Sequence, residues 1–158
     1  RAAGVHRPAR TGRHLMIDEA VVADKLRLIN EYTNDLKRMS GLSKADYLDD
    51  MVTQRAVERT FMNLIQACID LASHVRATEL EPTADSAKAE IHALETAEII
   101  TAETADRLTE AVGFRNVLAH RYGDVDHDVV YEALHNDLRW FEQFQTEVAQ
   151  WLQSHTTE

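Results

Sequence analysis

The sequence predicts an all-α protein, an up-and-down helical bundle of about five helices in a single domain. Two observations carry this: apolar residues recur every three to four positions through most of the chain, and strand-like alternation is sustained nowhere. A third is that capping residues and chain breakers fall between the periodic stretches. Asp18 is placed to cap a first helix that turns Val22, Leu26, Ile29 and Leu36 inward and stops at Gly41. Ser43 with Asp46 reads as a capping pair, opening a short turn before a long second helix. In that helix Val57, Phe61, Leu64, Cys68, Leu71 and Val75 step by three and four, the seam of a bundle, serving as core or as dimer interface. Glu81-Pro82-Thr83 ends it, because proline cannot continue a helix. A third helix is expected from about Asp85 to Ile99, and a fourth from Thr101 through Val112 with a kink at Gly113. The last, from about Asp126 to Gln153, buries Val130, Leu134, Leu138, Phe141, Val148 and Leu152, with Trp140 and Trp151 at its edges. There is no internal repeat, low-complexity tract or second domain.

Composition narrows the classes. A chain of 158 residues suffices for one core. At 44% hydrophobic residues, with no apolar run approaching membrane length and no signal-peptide pattern, it reads as cytoplasmic, with no membrane association. Cys68 is the single cysteine and lies on an apolar stripe, which assigns it a structural role and excludes an internal disulfide. Residues 1–15 differ from the rest: they hold four arginines, two histidines, Gly4, Pro8 and Gly12, with no acidic residue and no helical period. They read as a flexible basic extension or a vector-derived segment, with Met16 a plausible start and residues 16–158 the single domain. A basic RNA-binding arm is the functional alternative. With those four arginines set aside, 13 basic side chains face 27 acidic ones. That bulk charge opposes polynucleotide binding, so any such site must depend on locally gathered cations.

Several chemistries find no support. Histidines 74, 92, 127 and 135 show neither H-E-x-x-H nor paired-cysteine spacing, so no zinc site is expected. The absence of a glycine-rich phosphate loop argues against direct nucleotide hydrolysis, and no cofactor is expected. Asp124, Asp126 and Asp128 alternate with Val125 and His127 and are compatible with a divalent ion; the reading adopted is that they cap the following helix and complement its dipole.

The segment from Phe114 to Gly123 carries the chemistry. At about 100° per residue, taking Arg115 as zero puts Tyr122 at about −20°, Ala119 at about 40°, Asn116 at about 100° and His120 at about 140°. Phe114, Val117 and Leu118 fall on the other half and are expected to meet the core, while Arg121 breaks the division. Asn116 and His120 are four apart, so the amide is placed to orient the imidazole. RNA carries its own nucleophile, the 2′-hydroxyl; cutting it needs a proton carrier near neutrality and a cation for the phosphorane. His120 suits the first role and Arg115 the second, through a planar fork that matches phosphate oxygens. A helix ending at Gly123 would favour protonated His120. The same side chains also fit an undistinguished helix end, with Arg115 in a surface ion pair, His120 at a cap and Tyr122 at a rim. Signature residues about 140° apart do not share a target on a straight helix, which calls for a bend or a second subunit. On the long helix Arg55, Glu58 and Arg59 are expected to flank this segment. Arg55 and Glu58 are spaced to form an i,i+3 pair; the reading adopted for these residues is structural, the functional alternative being that Arg55, Glu58 and Arg59 position Arg115 or phosphate.

Arg115, four intervening residues, His120, one residue and Tyr122 resemble the signature of HEPN-domain RNases. The flanking residues are similar to the HepT toxin family: Arg55-Ala56-Val57-Glu58-Arg59, the apolar run from Ile65 to His74, Phe114-Arg115-Asn116, and the run from Asp126 to Tyr131 into the last helix. The resemblance spans about Ile17 to Leu152. It implies a HEPN-like all-α domain that forms a homodimer, gathering two Arg and His pairs in one cleft, and that acts as a metal-independent endoribonuclease toxin on RNA. It implies a partner, an MntA-type nucleotidyltransferase antitoxin, that silences the toxin by AMP transfer to the signature tyrosine, here Tyr122. The alternative is a catalytically silent interaction subunit that binds such a nucleotidyltransferase.

Overall fold

In the computed structural model, residues 18–79, 84–120 and 124–156 are described, and among them the chain forms seven helices and no strands. Helix α1 (Glu19–Met39) starts where expected: the Asp18 carboxylate accepts from the Ala20 and Val21 N–H groups at 3.0 and 3.2 Å. It ends two residues before Gly41, with the Ser40 N–H closing on the Lys37 carbonyl. The capping pair at Ser43 starts a helical turn of its own, α2 (Lys44–Leu48), in which Ser43 Oγ accepts from the Asp46 N–H. Helix α3 (Met51–Glu79) is capped by Asp50, which accepts from both the backbone and the hydroxyl of Thr53; these bonds hold the Asp50 carboxyl below its ordinary range.

The expected break at Glu81-Pro82-Thr83 lies outside the described residues, bracketed by the end of α3 and by α4 (Ala87–Thr96), whose N-cap is Ser86. Helix α4 ends in a reversal: the Ile99 N–H returns to the Leu94 carbonyl at 2.9 Å, and Glu98 between them has φ 62°, the left-handed region. A side chain there costs energy that glycine does not. Glu98→Gly is therefore expected to raise stability by about 0.5–1 kcal/mol, read as a higher denaturation midpoint; a lower midpoint would show that the Glu98 side chain stabilises the turn.

Helix α5 (Ala102–His120) runs without interruption through Gly113, so the expected fourth helix and the signature segment as far as His120 are one element. The expected last helix is two: α6 (His127–Asn136) and α7 (Leu138–Thr156), interrupted at Asp137. The interruption falls on Asn136-Asp137, residues whose short polar side chains compete with the backbone in helix interiors. Asp126 accepts from the Asp128 and Val129 N–H groups as N-cap of α6, and Asp128 pairs with Lys44 at 3.1 Å. Asp126 thus does the capping read from the sequence, and the pair of Asp128 with Lys44 is an addition that the sequence did not suggest.

Helix α3 is the central column. It packs against α1, α4 and α5, while α7 closes the bundle on α1 and α5. The whole stripe Val57, Phe61, Leu64, Cys68, Leu71 and Val75 is buried, belonging to one core with Ile29, Leu36, Leu108 and Phe144. Each such side chain contributes about 1.5–3 kcal/mol when fully buried. Burial pushes the Cys68 thiol up, as a core thiol requires. Leu26 and Leu152, expected inward, are half-buried at the margins.

A polar cluster sits inside. Glu147 of α7, 9% exposed, accepts from the Thr101 N–H at 2.9 Å, the Thr104 hydroxyl at 2.8 Å and the Gln143 amide at 2.8 Å. It therefore caps the N-terminus of α5 from another helix, where a carboxylate also meets the favourable end of the dipole. No helix among the described residues is long and apolar enough to cross a membrane.

Candidate active site

The C-terminal third of α5 presents Arg115 and His120, the first two signature residues. Phe114 turns inward and sets its ring edge against Phe61 of α3, with centroids 5.4 Å apart and planes at 87°. Leu118 is buried beside it. Val117 does not follow: it is 42% exposed, a correction to the helical-wheel reading. A wheel gives a residue's angle but not where the neighbouring helices stop, and no described element covers that side of α5. The exposed strip is thus Asn116, Val117 and His120, with Arg115 half-buried at its border.

Arg115 is held by two amide oxygens. Its Nη1 donates to Gln66 Oε1 of α3 at 2.5 Å, and its Nη2 and Nε donate to Asn116 Oδ1 at 2.7 and 3.3 Å. Gln66 Nε2 in turn donates to Asp70 at 2.9 Å, and Asp70 lies 3.8 Å from Lys25 of α1. Among the described residues no carboxylate reaches Arg115 within ion-pair distance, so its charge is oriented and not neutralised. Asn116 was expected to orient His120 and instead turns its oxygen to Arg115, whose guanidinium makes a charge-assisted bond. Sequence reading did not single out Gln66. Its only signal is its place on the exposed face of α3, and which α3 residue meets Arg115 is decided by how the two helices cross.

His120 is the last residue of α5 and is exposed. No described side chain hydrogen-bonds it. Tyr122, Arg121 and the helix stop expected at Gly123 lie outside the described residues. So does the basic segment at residues 1–15.

Arg55 and Glu58 meet each other and His127, not Arg115. Arg55 Nη1 is 3.4 Å from Glu58 Oε1, and Glu58 Oε2 lies 3.4 Å from His127 Nδ1 at the start of α6. The neighbouring Tyr47 hydroxyl is pushed up by burial and then by the charge of Glu58. This cluster ties α2, α3 and α6 together two turns of α3 away from Gln66. A groove of about 370 Å³ between α5, α6 and α7 is walled by Phe61, Leu108, Phe114, Trp140 and Phe141. Neither Arg115, Asn116 nor His120 lines it.

The arrangement places an uncompensated guanidinium and an exposed imidazole on the last turns of one helix. A family model described as "Ribonuclease HepT-like" matches residues 29–148, all but the two ends of this bundle. The chain belongs to the HepT-like ribonuclease family. Among curated HepT-like relatives, the tRNA nuclease HepT of Aphanizomenon flos-aquae is 29% identical over 118 residues, covering 75% of this chain and 80% of that protein. The mRNA nuclease HepT of Shewanella oneidensis is 25% identical over 124 residues, covering 78% of this chain and 92% of that protein. Among solved structures, the tri-AMPylated HEPN toxin of Shewanella oneidensis in complex with MNT antitoxin superposes with a TM-score of 0.77 at 24% identity, over 82% of this chain and 97% of that one. YutE of Bacillus subtilis, a cytosolic protein of unknown function, superposes with a TM-score of 0.76 at 14% identity, over 87% of this chain and 92% of that one. At these identities the structural matches establish the HEPN-type fold.

Proposed function

We propose that this chain is an endoribonuclease toxin that works without a metal ion, as a homodimer, and that a nucleotidyltransferase antitoxin silences it by transferring AMP to Tyr122. The observation that carries the reading is the state of Arg115: held by Gln66 and Asn116 through amide oxygens, it keeps a full positive charge free for phosphate, one and a half turns from exposed His120. The nuclease names of the HepT relatives and the toxin–antitoxin complex among the structural neighbours agree with it.

Five residues along an uninterrupted helix separate Arg115 from His120 by about 140° and about 7.5 Å. One copy's pair therefore does not converge on a single linkage, and a second copy supplies the missing half. In the proposed step one His120 accepts the 2′-hydroxyl proton, and the 2′-oxygen attacks phosphorus. The bond from phosphorus to the 5′-oxygen breaks, and that oxygen takes a proton from the partner's His120. The products are a 2′,3′-cyclic phosphate and a 5′-hydroxyl. The Arg115 guanidiniums hold the phosphorane charge. AMP on Tyr122 would place a phosphate and a bulky base beside the same cations, competing directly with RNA.

Unmodified protein incubated with RNA in EDTA is expected to yield fragments ending in cyclic phosphate, and an oligonucleotide with a single 2′-deoxy position to resist cutting there. Intact RNA under these conditions would overturn the nuclease reading in favour of an interaction subunit.

A further inference from the structure

Among the described residues Arg59 is a cation with no partner. It is exposed on α3, and among the described residues no carboxylate lies within ion-pair distance. Other described cations are matched: Arg55 to Glu58, Lys25 to Asp70, Lys44 to Asp128 and Glu132, and Arg107 to Glu110. Among the described residues, Arg59 shares its unmatched state with Arg115, Lys88 and Arg139. Arg139 lies over the ring of Trp140 at 5.2 Å, and Lys88 sits against Gly113 on the seam between α4 and α5. Among the described residues Arg59 and Arg115 therefore stand apart as guanidiniums that no carboxylate matches.

They also share a face. Gln66, which takes Arg115, follows Arg59 by seven residues, so the two α3 positions lie about 20° apart in angle and about 10 Å apart along one ridge. Met62 and Asn63 lie between them, with no acidic side chain. Beyond Gln66 the ridge turns acidic at Asp70, whose carboxylate faces Gln66 and Lys25. In a chain of net charge −10, the stretch from Arg115 to Arg59 is a local positive strip with a direction, pointing to the N-terminal end of α3.

We propose that Arg59 is a second phosphate contact for single-stranded RNA. This rests on the ribonuclease reading: with the scissile phosphate at Arg115, the strand runs along α3 toward its N-terminus, and Arg59 takes a phosphate further along. The contact positions the strand without reading its bases.

The test is binding of a fluorescent ten-nucleotide 2′-O-methyl RNA, which cannot be cut, measured across salt concentrations. Arg59→Gln is expected to weaken binding roughly three- to tenfold and to lower the slope of log affinity on log salt by about 0.7. Arg59→Lys should restore the slope, and Arg139→Gln should leave affinity and slope as in the parent. The contact is overturned if Arg59→Gln binds like the parent, or if Arg139→Gln loses as much. Cleavage of ordinary RNA by the parent, run in parallel, separates the two readings. A parent that binds but does not cut, with the Arg59 effect intact, removes the nuclease and keeps the contact. A parent that cuts while Arg59→Gln binds unchanged removes the contact and keeps the nuclease. A parent that does not bind the oligonucleotide overturns the contact outright.

Discussion

Replacing His120 with alanine is expected to lower the rate of RNA cleavage by about 10²–10⁴-fold, the usual contribution of a positioned proton carrier. The substitution should leave the fold intact. His120 is exposed at the end of α5, no described side chain bonds it, and the core beneath is built from Phe114 and Leu118. Exposed replacements of this kind shift stability by less than about 0.5 kcal/mol. Helicity, melting temperature and molecular mass in solution should therefore match those of the parent while cleavage falls. A variant that degrades RNA at the parental rate would remove His120 from the mechanism. One that loses cleavage together with its helicity would assign the residue a structural role instead.

Phe61→Ala is expected to cause the largest loss of stability among single changes near the site. Phe61 is 1% exposed on the central column, and its ring supports Phe114, the residue before Arg115. Truncating a buried phenylalanine costs about 3–5 kcal/mol, of which the edge-to-face ring pair supplies about 0.5–1.5. At about 2–4 °C per kcal/mol for a domain of this size, the melting temperature should fall by roughly 10 °C. Differential scanning calorimetry measures this directly. A fall of only a degree or two would mean that the Phe61–Phe114 contact is not part of the packed core, and the support given to Arg115 would need another source.

The bundle was legible because its signals are local. Asp18, Ser43 and Asp126 cap the helices that follow them, and the three-and-four stepping from Val57 to Val75 marks the central seam. The division of the last helix was not legible, since Asn136-Asp137 is a weaker break than proline or glycine. At the candidate site, the spacing from Arg115 to His120 put both on one helix end, but it carried no information about what α3 offers across the crossing. Gln66 becomes Arg115's partner only in three dimensions, and Asn116 turns to the guanidinium beside it and not to the imidazole one turn on. Val117 shows the same limit from the other side: periodicity assigned it inward, yet nothing described covers it.

The buried Glu147 carboxylate gives the far end of the chain a stake in the signature. By gripping the first turn of α5 at Thr101 and Thr104, it fixes the axial and rotational setting of a rod whose other tip carries His120. The terminal helix thus acts as an anchor for groups it never touches, and wear at that anchor would reach the imidazole as a loss of aim.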